Sequence, residues 1–194
     1  MDTKETLVDK QTRLNNLFKD IVLRFAQESH CESKKVAVIA VKNHRIIASG
    51  INGTAPHQPN CDEVFRATYK LGRKKAYSWP EPVKFGGSEY AMAKIPKGLT
   101  YEEWKSSTFW REAHHVWSNK NELHAEQNMI AIAAHEGLNL SGADIYVSLE
   151  PCINCAKLLV ALKPLHIYYV EDYDYDVGDS KSVLKNAGVP LIKI

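Results

Sequence analysis

From Thr6 to Glu28 the apolar positions return at three- and four-residue steps. Leu14, Leu17, Phe18, Ile21, Val22 and Phe25 fall on one stripe, with Arg13, Asn15, Asn16, Lys19 and Asp20 between them. That period predicts an amphipathic helix resting on a core. The pattern then shortens. Lys35–Val41 is an apolar run rich in β-branched residues, Lys42–Arg45 is polar, and Ile46–Ile51 is apolar again, predicting two strands joined by a tight turn. After Asn52–Gly53 the periodicity fades. The stretch from Thr54 to Lys120 holds most of the prolines and all four tryptophans. A structureless segment of that length is uncommon inside a compact domain, so local helices are expected at Cys61–Leu71 and Tyr101–Trp117. The whole stretch reads as an irregular insertion at about 54–120 in a single domain spanning 1–194.

Alternation then resumes. Glu122–His135 predicts a helix ending at Gly137, Asp144–Leu149 a strand, Ile153–Leu162 a helix, His166–Val170 a strand, Asp179–Asn186 a helix and Val189–Ile194 a last strand. Strands alternating with helices imply an α/β fold whose largely parallel sheet is covered by helices, made mixed by the opening hairpin.

Composition narrows the class. The 194 residues are 44% hydrophobic and 25% charged, as in an ordinary globular protein, and the net charge of +2 is too mild for polynucleotide binding by phosphate neutralisation. A small-molecule substrate is the expectation, with no nucleic-acid partner. No apolar run approaches the roughly 20 residues of a membrane span, and the charged start MDTKETLVDK lacks a secretory core. The expected location is therefore cytoplasmic. In a reducing compartment Cys31, Cys61, Cys152 and Cys155 read as metal ligands or free thiols, not disulfides.

Two short strings carry chemistry: His124–Ala125–Glu126, and Pro151–Cys152–Ile153–Asn154–Cys155. Each lies at the start of a predicted helix. Cys152 and Cys155 share one helix face, Pro151 suits a first helical position, and the positive helix end favours the thiolate that binds zinc. His124 and Glu126 are two apart, so both can meet one metal only at a helix end. Three ligands, His124, Cys152 and Cys155, leave one tetrahedral position for water, whose pKa zinc draws toward ~7. Glu126 would take the water's proton and pass it to a ring nitrogen and then to the departing amine. A closed structural zinc would want a fourth Cys or His ligand. His–x–Glu followed by Pro–Cys–x–x–Cys is the signature of zinc deaminases that attack C4 of cytosine or C6 of adenine.

With these motifs the chain resembles the cytidine and deoxycytidylate deaminase superfamily, and within it the bacteriophage-type deoxycytidylate deaminases. The resemblance rests on Gly50–Ile51–Asn52–Gly53 (Ile51 replacing the usual aromatic), on Trp117 to Asn128, and on Tyr146 to Cys152. It is weakest between about Glu63 and Phe109. It implies a three-layer α-β-α sandwich around a five-stranded mixed sheet. It implies hydrolysis of the cyclic amidine C–N bond of dCMP to give dUMP and ammonia, feeding thymidylate synthesis. A homo-hexamer activated by dCTP and inhibited by dTTP is implied as well, with Mg2+ accompanying a triphosphate effector. Asn52 matches a substrate-contacting position. Ala125 and Ser148 lie in the matching segments as further substrate-binding candidates, and Tyr173 to Tyr175 falls where an aromatic covers the base. Cys31, Cys61 and His114, with Glu122 as fourth ligand, match a second, structural zinc; His115 is an alternative to His114.

Arg66, Lys70, Arg73, Lys74 and Lys75 form a basic cluster that is either a solvated face or a phosphate contact. Lys34, Lys35 and Arg111 are alternative phosphate partners. Three other readings stay open: a dual dCMP/dCTP deaminase, a deaminase of bases within nucleic acid, and a non-catalytic zinc-stabilised binding module.

Overall fold

The computed structural model of the chain describes residues 6–74, 83–85, 88–90, 98–173 and 179–194, with backbone alone for 71–74, 83–85 and 88–90. In chain order the elements are α1 (Leu7–Ala26), β1 (Ala37–Lys42), β2 (Arg45–Ile51), β3 (Gly53–Thr54), α2 (Cys61–Lys74), β4 (Val83–Phe85), β5 (Ser88–Tyr90), α3 (Tyr101–Lys105), α4 (Thr108–Asn121), β6 (Glu122–Leu123), α5 (Ala125–His135), β7 (Asp144–Leu149), α6 (Ile153–Leu162), β8 (His166–Glu171), α7 (Ser180–Asn186) and β9 (Leu191–Lys193). They gather into two units, Met1–Ser29 with Lys35–Asn52 and His124–Ile194, and His30–Lys34 with Gly53–Leu123.

The first unit is built on a five-stranded sheet of order β2-β1-β7-β8-β9. β1 runs antiparallel to β2 and to β7, while β7, β8 and β9 are parallel, the mixed sheet expected of the fold. The alternation of β1 explains the layers. Ala37, Ile39 and Val41 face Leu14, Phe18, Val22 and Ala26 of α1, together with Tyr146 and Tyr168. Val38 and Ala40 face the opposite side, where Met129 and Ala133 of α5, Ala156 and Leu159 of α6 and Leu184 of α7 complete the main core. A period-two strand between two helical layers must be apolar on both faces, as this one is. Each fully buried Val, Leu, Ile, Phe or Met side chain among them contributes about 1.5–3 kcal/mol.

Local signals set the boundaries. Thr6 and Asp9 exchange side-chain and backbone bonds in a capping box that starts α1. Asn43 and His44 both have positive φ, 52° and 60°, the conformation a two-residue turn needs to match strand twist. Gly137, at φ 66°, follows α5 where the pattern predicts the stop.

In the second unit α2, α3 and α4 pack Phe65, Trp104, Trp110 and Trp117 into a second buried cluster with Cys31, Cys61, Val64 and Tyr69. Two sequence expectations are corrected in this unit. Tyr101–Trp117 is not one helix: it breaks at Ser106–Ser107, where Ser107 takes extended backbone and its hydroxyl caps Trp110 N. Glu122 and Leu123 are not helical either, since they pair antiparallel with Gly53 and Thr54, and α5 begins only at Ala125. Lys75 and Tyr175 lie outside the described residues.

Candidate active site

The late start of α5 resolves the spacing of His124 and Glu126. His124 is the N-cap, with extended backbone at φ −67° and ψ 157°, so it is not bound by helical spacing, whereas Glu126 sits in the first turn. Gln127 at N3 fixes this entry: its Oε1 accepts the His124 backbone N–H at 2.9 Å. The second string is built alike. Cys152 is the extended N-cap of α6, at φ −68° and ψ 167°, and Cys155 lies in the first turn. Two helix N-termini therefore bring their partial positive charge to one place.

The donor atoms of His124, Cys152 and Cys155 all lie within 4.8 Å of one another. His124 Nδ1 is 3.5 Å from Cys152 Sγ and 3.4 Å from Cys155 Sγ. Tetrahedral zinc bonds of about 2.0–2.1 Å to nitrogen and 2.3 Å to sulfur would set those atoms about 3.6 Å apart. The three residues fit zinc.

Electrostatics agree with the geometry. Cys152 is pulled down to about 4, first by the Cys155 side chain and then by His124, against the cost of burial. Cys155 is pushed up by sharing its proton with Cys152, by burial and by Glu126. Glu126 is only 3% exposed, and burial pushes its carboxyl up although His124 and Cys155 pull it back. A buried carboxyl beside a metal-ligand set, poised above its ordinary range, suits proton transfer.

The other candidate residues of this unit surround the same strand ends. Ala125 is fully buried at the start of α5. Asn52, 9% exposed, follows β2 and accepts on Oδ1 from Ser29 Oγ at 2.7 Å and from Val36 N at 2.8 Å. The Ser148 hydroxyl accepts from Ala37 N at 3.0 Å, bracing β7 against the start of β1. Tyr173 is half-buried just past β8. Lys35 donates to the Gln27 carbonyl at 3.1 Å.

A second donor set lies wholly in the second unit. Cys31, Cys61, His114 and Glu122 bring their ligand atoms within 4.8 Å of one another. His114 Nε2 is 3.5 Å from Cys31 Sγ and 3.3 Å from Cys61 Sγ, the same tetrahedral spacing. Cys31 is drawn down to about 4, first by Cys61 and also by His114, while Cys61 is pushed up, first by Cys31 and then by burial. His114 is stacked on Trp110 at 4.7 Å. The alternative, His115, is exposed and faces Asn119 at 3.1 Å, outside this donor set.

Arg111 and Lys34 are both exposed on this unit, as is Lys70. Arg66 belongs to a clasp: its Nε donates to Glu32 Oε1 at 2.7 Å, and Lys105 Nζ to Glu32 Oε2 at 2.9 Å. Arg73 and Lys74 are in α2. Sequence reasoning missed Ser29, Gln127, Asn128 and Glu32. Of these only Gln127 carried a local signal, an amide side chain three residues after an N-cap.

The comparisons with known proteins meet these observations. Residues 12–171 match the family model described as the cytidine and deoxycytidylate deaminase zinc-binding region. The deoxycytidylate deaminase of Enterobacteria phage T2 is 35% identical over 175 residues, covering 87% of this chain and 86% of that protein. Its counterpart from Enterobacteria phage T4 is 34% identical over 175 residues, covering 87% and 83%. Among solved structures, the dCMP deaminase of cyanophage S-TIM5 in complex with dCMP and dUMP shares the fold at a TM-score of 0.61 with 22% identity, covering 94% of this chain and 97% of that one.

Proposed function

The chain belongs to the cytidine and deoxycytidylate deaminase family, and from that premise we propose that it hydrolyses dCMP to dUMP and ammonia. The observation that carries this reading is the meeting of two helix N-termini at one donor set, with the buried Glu126 carboxyl beside it. His124 Nδ1 and the sulfurs of Cys152 and Cys155 would hold the zinc. Zinc bound there supplies Lewis acidity, drawing the pKa of a water toward ~7 so that a nucleophile exists at neutral pH.

The remaining steps belong to the protein's own groups. Glu126 accepts a proton from the attacking water, delivers it to the ring nitrogen next to C4, then carries the second proton to the amine as the C4–N bond breaks. Burial keeps the carboxyl near the range where it can both take and give a proton. Asn52 and Ala125 hold the nucleotide, and the described candidate for the aromatic over the base is Tyr173. Ser148 acts through the strand pairing it braces. Arg111 and Lys34 neutralise phosphate. Cys31, Cys61, His114 and Glu122 hold a second zinc that fastens the tryptophan-rich unit, because coordination energy becomes folding energy. The proposal extends to a homo-hexamer in the cytoplasm, activated by dCTP with Mg2+ and inhibited by dTTP.

Ammonia release from cytidine, deoxycytidine, dCMP and dCTP, each with and without dTTP, tests this reading. Turnover of dCMP that dTTP suppresses is expected, and the dCTP lane reports how many phosphates are accepted. A zinc-loaded enzyme inert on dCMP would overturn it.

A further inference from the structure

Asn52 is held from two sides, by the residue before β1 and by α5. Its backbone N–H donates to Val36 O at 3.0 Å. Its carboxamide Oδ1 accepts from Val36 N at 2.8 Å, and the preceding carbonyl, that of Ile51, accepts from Asn128 Nδ2 of α5 at 2.9 Å. These bonds fix the backbone of Asn52 between β1 and the helix that carries Glu126. They also identify the carboxamide oxygen, since a backbone N–H can only donate.

Ser29 completes the arrangement. It follows α1, its N–H returned to Ala26 O at 3.1 Å, and it is 2% exposed. Its hydroxyl lies 2.7 Å from Asn52 Oδ1 and 2.9 Å from the Asn52 carbonyl oxygen, both acceptors. One proton is shared between them, with the shorter bond to the side chain. A buried serine 23 positions away in sequence thus donates its hydroxyl to Asn52, with the shorter bond to the carboxamide. The deamination reading gives this bond no part.

We propose that Ser29 is a positioning residue for nucleotide binding, acting through Asn52. With Oδ1 occupied by the Ser29 hydroxyl and the Val36 N–H, the carboxamide is locked against rotation. The edge it turns to a ligand is the NH2, which recognises acceptor oxygens and rejects donors. Removing the hydroxyl takes away the shorter of these two bonds to Oδ1 and loosens the hold on the carboxamide's orientation. A ligand then meets a mixture of orientations, which weakens binding without touching the proton chemistry at Glu126. This inference rests on the reading of Asn52 as a substrate contact.

Two readouts on the zinc-loaded full chain separate the inference from that reading. In 15N NMR the Asn52 side-chain NH2 pair, assigned by its loss in Asn52→Ala, is expected to shift or broaden in Ser29→Ala and to be restored in Ser29→Thr, which keeps the hydroxyl. This measurement needs no substrate. On dCMP, Ser29→Ala is expected to raise KM about tenfold, the worth of one buried hydrogen bond, with kcat within about threefold. Ser29→Thr should recover KM. In the Asn52→Ala background, Ser29→Ala should add nothing, because both changes remove the same contact. An unmoved Asn52 NH2 signal in folded Ser29→Ala, or a KM effect that persists without Asn52, overturns the role of Ser29. A moved signal in an enzyme inert on dCMP overturns the substrate reading and upholds the locked carboxamide.

Discussion

Gly50 offers the most direct test of how the site is held. It pairs with Val38 in the sheet, directly under the first turns of α5. A Cβ placed on it would lie 2.3 Å from the Ala125 carbonyl oxygen, 2.5 Å from Met129 N and 3.0 Å from Met129 Cα. Ordinary contact begins at 3.4 Å, and all three atoms are backbone, so no flexible side chain can give way. Gly50→Ala must therefore push α5 off β2 by about 1 Å, at the end of the helix that bears His124 and Glu126. Overpacking of a well-filled core typically costs about 1–3 kcal/mol, and a rigid backbone neighbour places this case at the upper end. For a chain of this size about 3 kcal/mol lowers Tm by about 6–12 °C. The effect on chemistry is larger in proportion, since about 1 Å of misplacement can cost 10²-fold in rate. Thermal unfolding and dCMP turnover, both on zinc-loaded protein well below Tm, measure the two effects. Gly50→Ala with wild-type Tm and turnover would refute the reasoning, because the first turn of α5 would then not rest on β2 as described.

Glu126→Gln is expected to keep the fold and bound zinc while lowering turnover about 10²–10⁴-fold, the usual worth of a general acid–base group. It also makes a pH prediction. Burial raises the Glu126 carboxyl above its ordinary 4.5, so the folded state holds this proton more tightly than the unfolded chain. The cost of burying its charge is absent below the unfolded pKa, grows as pH rises through it and is complete above the folded pKa. Metal-free Glu126→Gln should therefore be more stable than metal-free wild type at neutral pH, with the gain vanishing toward pH 4.5; a gain that ignores pH in an unfolding series would contradict the assignment. Trp104, Trp110 and Trp117 are buried in the second unit, so their fluorescence reports on that unit. Cys61→Ser should lose one zinc equivalent and red-shift that emission, whereas Cys152→Ser should lose the other equivalent and all turnover with emission unchanged. Both equivalents retained in Cys61→Ser, with an unshifted spectrum, would exclude the second metal site.

Where the sequence was legible, the signal was local. The stripe of α1, the turn at Asn43–His44 and the starts of β7 and α6 depend on neighbours within a few residues, and the structure follows them closely. The break at Ser106–Ser107 and the start of α5 were not. Neither place carries an apolar period that could mark it, and what sets the boundary is a serine cap in one and a two-residue pairing with Gly53–Thr54 in the other. The choice between His114 and His115 was legible in principle: Trp110, His114 and Trp117 share one buried face of α4, which leaves His115 outside. Ser29 was not, because its only distinguishing partner is Asn52 across the fold.

The two donor sets use one recipe and differ in a way that assigns their work. Both place a cysteine at or beside a helix N-terminus and draw one thiol down to about 4. The set of the second unit has four donors, with the Glu122 carboxylate among them. Among the described residues of the first unit the donors number three, and the nearby carboxylate, Glu126, lies in the first turn of α5 and outside the donor set. A tetrahedral ion is saturated by four protein ligands and left open by three. On the proposed reading, the place of one glutamate relative to a helix start separates the two sites. At position 122, before α5, it closes a structural site; at position 126, within it, it stands aside from the metal and is available to move protons.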